Sequence, residues 1–359
     1  MLKIYNKNFN FLDFIIVFFS VALKYLKSTF GISDIYMGIY FLFLCILVLV
    51  KFVKLRHNKK NLWNLFVILL YCLIITYSTA AVDFAMSLIL VLVFYKKGYQ
   101  QYLYYLLISS IICFSLTTIL GQIGIIESEI LTRKVEGEIL ERNSLGFQTV
   151  NGAFLHWYII ILLYFYLFGF NKLSYIILGG ISYYLYLCTN TRTGFYCVIA
   201  FMILAPIFNL GTGKLLFKTS KYWFIIFTIV SIGLALVFGK ANNKINEIVS
   251  NRFVLWNYSL ENYPISSILT NHNLDTYPLD NLYINFLQHY GLIAYTGLCI
   301  LYFFGTSRIK DKKMLITLFF FLIYCMFESN NYYYINYSFF ILMYVLIAQP
   351  TERRYNKND

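Results

Sequence analysis

The chain has 359 residues, 60% of them apolar and only 13% charged, with a mean hydropathy of +0.67. Soluble proteins average about 45–50% apolar and about 25% charged residues, so this composition excludes both a water-soluble globule and a disordered chain. The net charge of +13 does not point to nucleic acid, because the cations gather between apolar runs, where membrane proteins carry their topology signals.

Apolar runs lie near 11–26, 33–53, 61–77, 79–95, 101–121, 148–170, 173–189, 194–210, 222–239, 283–305, 314–328 and 332–349. A bilayer-spanning helix takes about 20 residues. The pattern predicts an all-α polytopic membrane protein of about twelve transmembrane helices, a single integral membrane domain over 1–359. No small-residue cleavage site follows the first run, so a retained span is expected there. The seven cysteines sit in or beside apolar runs with no CxxC pair, as small core residues do.

With the N-terminus placed in the cytoplasm, alternate loops carry 20 cations on that side and 9 on the other. The positive-inside rule then puts both termini in the cytoplasm, including a tail at 350–359. The two larger loops, 122–147 and 240–282, fall outside. In the second, Ile245, Val249, Phe253, Trp256 and Leu260 recur at helical spacing, which predicts an amphipathic helix lying in the interface or folded over a cavity.

Three external stretches carry an Arg beside a span end: Arg142-Asn143-Ser144-Leu145-Gly146, Thr191-Arg192-Thr193-Gly194 and Arg252-Phe253-Val254-Leu255-Trp256. The positive-inside rule disfavours Arg on this face. Either each snorkels to water or pairs with an acid, or the planar forks converge on phosphate. Asp280, before Asn281 and Tyr283, opens a span as a helix N-cap, as a catalytic acid, or as both. Glu328 stands at an outer span end, where an acid is costly and is either an Arg partner or a functional group. His272 lies in a polar loop stretch, where it is a solvated side chain or a base. His156 and His289 fall within spans, as core residues. No His, Cys or acidic cluster has metal spacing, so neither a metal nor another cofactor is expected. External aromatics such as Trp256 serve as belt or core, or stack on sugar rings.

Together these stretches resemble the Wzy family, the repeat-unit polymerases of bacterial O-antigen and capsular polysaccharide. The likeness covers roughly residues 120–330. It rests on Arg142, Leu145, Gly146 and Asn151; on Thr191-Arg192-Thr193-Gly194; on Arg252 with Trp256; and on Asp280-Asn281-Leu282-Tyr283 with Gly291. Where the family usually carries Gly-Ser-Gly before the third Arg, this chain has Ile248-Val249-Ser250-Asn251. The related O-antigen ligases usually carry His at the position of Asp280.

The resemblance implies a GT-C-like fold and a metal-independent, inverting glycosyltransferase in the bacterial plasma membrane, its active site outside the cytoplasm. The donor would be an oligosaccharide on polyprenyl diphosphate and the acceptor a second lipid-linked unit. A chain-length regulator and a flippase would be partners. Arg142, Arg192 and Arg252 would hold the diphosphate. Asp280, with Glu328 and His272 as substitutes, would orient or deprotonate the acceptor hydroxyl. Asn151, Trp256, Asn281 and Tyr283 would meet the glycan. A ligase that delivers the glycan to another acceptor, and a repeat-unit flippase or other transporter, are the competing functions.

Overall fold

The computed structural model describes residues 9–30, 82–94, 98–135, 138–212, 214–240, 249–263, 279–328 and 337–355, and the single positions 46, 63, 66, 67, 70, 246 and 265. In chain order the elements are α1 (Phe11–Phe30), α2 (Val82–Phe94), α3 (Tyr99–Gln122), β1 (Ile130–Val135), β2 (Glu138–Asn143), α4 (Gly152–Phe168), α5 (Lys172–Thr189), α6 (Arg192–Ile207), α7 (Lys214–Thr219), α8 (Trp223–Phe238), α9 (Arg252–Asn262), α10 (Leu282–His289), α11 (Gly291–Arg308), α12 (Lys312–Tyr324) and α13 (Tyr337–Tyr355). They divide into two compact units, one from 1–55 and 97–206, the other from 56–96 and 207–359.

The described chain is mostly helical. Three stretches are long and apolar enough to cross a membrane: Tyr99–Gln122, Arg192–Leu210 and Phe217–Phe238. Phe11–Leu23, Gly152–Phe168 and Tyr337–Ile347 are shorter apolar helices. The expected spans 33–53 and 61–77 lie almost wholly outside the described residues.

In the first unit, α4 is apolar all round and buried along most of its length, as an interior helix must be. It packs on α3 through Phe114 and Trp157, whose rings lie 5.5 Å apart. Helix α5 buries the stripe Ser174, Leu178, Ser182, Leu185 and Thr189. Small and hydroxyl residues on that stripe let helix backbones approach closely, and Ser182 Oγ accepts from Trp157 Nε1 at 2.8 Å. Near the end of α6, Pro206 has no N–H to offer the carbonyl of Met202. The Tyr175 hydroxyl donates to that carbonyl instead, at 3.0 Å, and the helix widens into a π turn at Phe208–Thr212.

In the second unit, α11 and α13 meet at Gly305, where an added Cβ would lie 2.6 Å from the Leu342 side chain. The Tyr302 and Ser338 hydroxyls bond across the same seam at 3.0 Å. Phe94 of α2 packs edge-on against Phe340 of α13.

Three expectations need correction. The chain is not all-α: within the loop 122–147, β1 and β2 form an antiparallel hairpin with Ile130 opposite Asn143 and Val135 opposite Glu138. The β-branched Ile130, Thr132, Val135 and Ile139 favour that pairing over a helix. The run 283–305 is two helices, α10 and α11, because Gly291 takes φ +78° and breaks the ladder. The run 314–328 leaves the helix at Tyr324, and turns carry it to Glu328.

Candidate functional site

The second unit brings Arg252, Asp280 and Glu328 together from three distant segments. Helix α9 starts at Arg252, after Ser250 (φ +59°) and Asn251 (φ +60°) turn the backbone left-handed. Glycine usually supplies that conformation, and Asn tolerates it better than other side chains. The glycine-like turn that the sequence lacks before Arg252 is therefore present in the backbone. Helix α9 folds back on α8 at Gly239, where an added Cβ would meet Phe253 O at 2.7 Å and overlap the Asn257 side chain. Phe253 and Trp256 of the expected amphipathic stripe face inward, with Val254, Leu255 and Tyr258 exposed. Ile245 lies outside the described residues.

Arg252 is 5% exposed. Its Nη2 lies 2.8 Å from Glu328 Oε1 and 3.6 Å from Asp280 Oδ2. Its Nη1 is buried with no hydrogen-bond partner among the described residues. A cation in the first turn opposes the helix dipole, so helix stability does not account for an Arg here. Burial by itself lowers the Arg252 pKa, but Glu328 and Asp280 outweigh it and the net shift is upward, so the guanidinium stays charged. Burial raises the Asp280 carboxyl above the ordinary carboxylate range, while Arg252 pulls it down. The Asp280 side chain keeps 41% of its surface open; that opening lets water moderate the rise and leaves the carboxylate reachable.

Asp280 does not cap α10. Asn281 does, accepting from Ile284 N at 3.0 Å, and its amide donates to Met326 O at 2.9 Å and Ser231 Oγ at 3.1 Å. The Leu282 N–H donates to Cys325 O at 3.0 Å. These bonds pin the backbone beside Asp280 to the turn that carries Glu328. Asn281, Tyr283 and Trp256 are fully buried. The Tyr283 hydroxyl donates to Leu322 O at 2.8 Å, and Trp256 packs on Phe253 and Phe327. These three residues build the site's walls instead of lining an open surface. Gln288, which the sequence reading passed over, anchors α9 by donating to Ser259 O at 3.0 Å and Tyr263 O at 2.6 Å. A Gln beside His289 in a mostly apolar run was the signal.

The first unit gathers the other arginines' segments. Arg142 Nε donates to Thr189 O at 2.8 Å and Nη2 to Asn151 Oδ1 at 3.2 Å. Thr191 Oγ1 reaches the same Asn151 oxygen at 3.4 Å. Asn151 occupies the N-cap of α4 but makes no cap bond, its side chain being turned to Arg142. Arg192 opens α6, half-exposed, and its side chain makes no hydrogen bond or ion pair with the described residues. Behind it Gly194 packs on Phe154, where an added Cβ would come within 2.8 Å.

No family model, no curated protein and no solved structure matches this chain.

His272 and its neighbours lie outside the described residues. His156 is a core residue, its ring 4.2 Å from that of Tyr25 and 5.3 Å from that of Phe147. His289 sits edge-on to Tyr290.

Proposed function

We propose that the protein is a membrane glycosyltransferase, a Wzy-type polymerase that joins polyprenyl-diphosphate-linked oligosaccharide repeat units at the outer face of the bacterial plasma membrane. The observation that carries the reading is the buried Arg252 held between Glu328 and the reachable Asp280. Burial raises the Asp280 pKa, and a raised pKa makes its carboxylate a better proton acceptor.

In the reaction, an acceptor sugar hydroxyl gives its proton to Asp280 and its oxygen bonds to the donor's anomeric carbon. The bond from that carbon to the diphosphate breaks, and polyprenyl diphosphate leaves with the electron pair. In the first unit, Arg142 and Arg192 offer guanidinium forks of the kind that bind phosphate oxygens. Arg252, with its Nη2 engaged by carboxylates, orients Asp280 and pairs with Glu328; that task suits its geometry better than the diphosphate clamp expected from sequence. Asn151 holds Arg142 in place.

Asp280→Asn, assayed in membranes with purified lipid-linked repeat units, should lower polymer formation by about 10²–10⁴-fold with normal protein level. Undiminished polymer would overturn the base role. Deleting the gene should leave one repeat unit attached at the cell surface. Loss of all attached glycan would assign ligation instead.

A further inference from the structure

A second charged site lies at the far end of the spanning segment Phe217–Phe238. There α7, the 3-10 turn Ser220–Tyr222, the end of α11 and the start of α12 enclose a cavity of about 560 Å³. Its lining includes Lys218, Lys221, Lys310 and Lys312, with Ser220 and Thr306 between them. No carboxylate lines it. The nearest acid in sequence, Asp311, is turned to the Lys313 and Met314 N–H groups, which it caps at 3.0 and 3.3 Å. Two of the ammonium groups have partners on the chain. Lys221 Nζ lies 4.9 Å from the Tyr222 ring centre and 5.5 Å from that of Phe303, and Lys312 Nζ bonds to Asn209 O beside the Phe217 ring.

Four like charges around one cavity repel unless an anion sits among them. The positive-inside rule explains cations on one membrane face, but it does not require them to share a cavity. The spanning segment's 22 residues rise about 33 Å, matching a hydrocarbon core of about 30 Å. The lysine cavity is at its start, and Gly239, on which α9 packs, follows its end. A crossing by this segment puts the two sites on opposite membrane faces. Beside the cavity, Tyr222, Ile225 and Ile226 of one segment and Ile300 and Phe304 of α11 stand exposed, forming apolar tracks that a free ion would not use.

We propose that this cavity binds the phosphate of an anionic phospholipid headgroup in the leaflet opposite the Arg252 site, with the acyl chains along those tracks. Basic pockets between membrane helices recognise such headgroups, each Lys near the surface contributing about 1 kcal/mol, or roughly five-fold in affinity. The inference is independent of the polymerase reading.

The test is lipid retention by the full-length protein in mixed micelles of phosphatidylglycerol or phosphatidylcholine, read by native mass spectrometry. The wild type should retain phosphatidylglycerol selectively. Lys218→Gln with Lys310→Gln should weaken retention about 25-fold; the corresponding Arg pair, which reports on folding, should keep most of it. Lys240→Gln, at the other end of the segment, should change nothing. Equal retention of phosphatidylcholine, or full retention in the Gln pair, overturns the proposal. Displacement of the lipid by millimolar inorganic phosphate overturns the lipid assignment in favour of a free-anion site.

Discussion

At Arg252 a guanidinium occupies the first turn of a helix, 5% exposed and between two carboxylates. Removing one member of such a buried set leaves the others uncompensated. Arg252→Ala should destabilise the protein by about 3–5 kcal/mol, read as a fall in the thermal midpoint of the detergent-solubilised protein. Asp280 carries the pH dependence. Its folded pKa is raised, chiefly by burial, so the fold favours the protonated form. That contribution to stability is complete below the unfolded-state pKa and is lost as pH rises through the folded value. Activity runs the other way, because a base must be unprotonated: polymer formation should rise with pH through the raised pKa. Arg252→Gln removes the cation that lowers this pKa, so the acidic limb of the rate profile should move to higher pH. An unmoved limb would separate the titrating group from Asp280.

At the scale of elements, Asn281 does two jobs that a pair of substitutions can divide. Its side-chain oxygen caps α10, and its amide protons tether Ser231 and Met326. Asn281→Ala loses both and should cost about 2–4 kcal/mol in thermal or denaturant unfolding. Asn281→Asp keeps the cap but aims a carboxylate at the Met326 carbonyl. If capping alone mattered, the Asp variant would match the wild type; the buried tether predicts that it does not. Gly239 governs the docking of α9 on α8. Gly239→Ala has no room against backbone on two sides, so α9 should shift, and polymer formation should fall with it.

For the molecule as a whole, three stretches long enough to span predict that the protein stays with membranes through alkaline extraction and needs detergent for release. The proposed lipid site puts the two charged sites of the second unit on opposite membrane faces. Val254→Cys, on the exposed side of α9, and Ser307→Cys, at the lysine cavity, should therefore react with a membrane-impermeant thiol reagent from opposite sides. Labelling of both from one side would remove the topological basis of the lipid site and of the outward-facing active site.

Hydropathy is a local property summed along the chain, and sequence was sufficient for it: a mostly helical fold with apolar spanning segments follows from composition and run length, and the runs at 101–121, 194–210 and 222–239 match spanning helices within a few residues. The same local logic missed the hairpin, whose stability lies in pairing between strands, and the break at Gly291, which depends on a single backbone angle. Sequence also picked out Arg252, Asp280 and Glu328 as candidates while leaving each with two meanings. Tertiary structure supplied the partners, because 76 positions separate Arg252 from Glu328 and only folding brings a charge that distant within bonding range. It likewise gave the cap to Asn281 and left Asp280 beside the guanidinium, an outcome set by which oxygen met the Ile284 N–H first in space. A side chain's chemistry is written in the sequence, but its partner is chosen by packing.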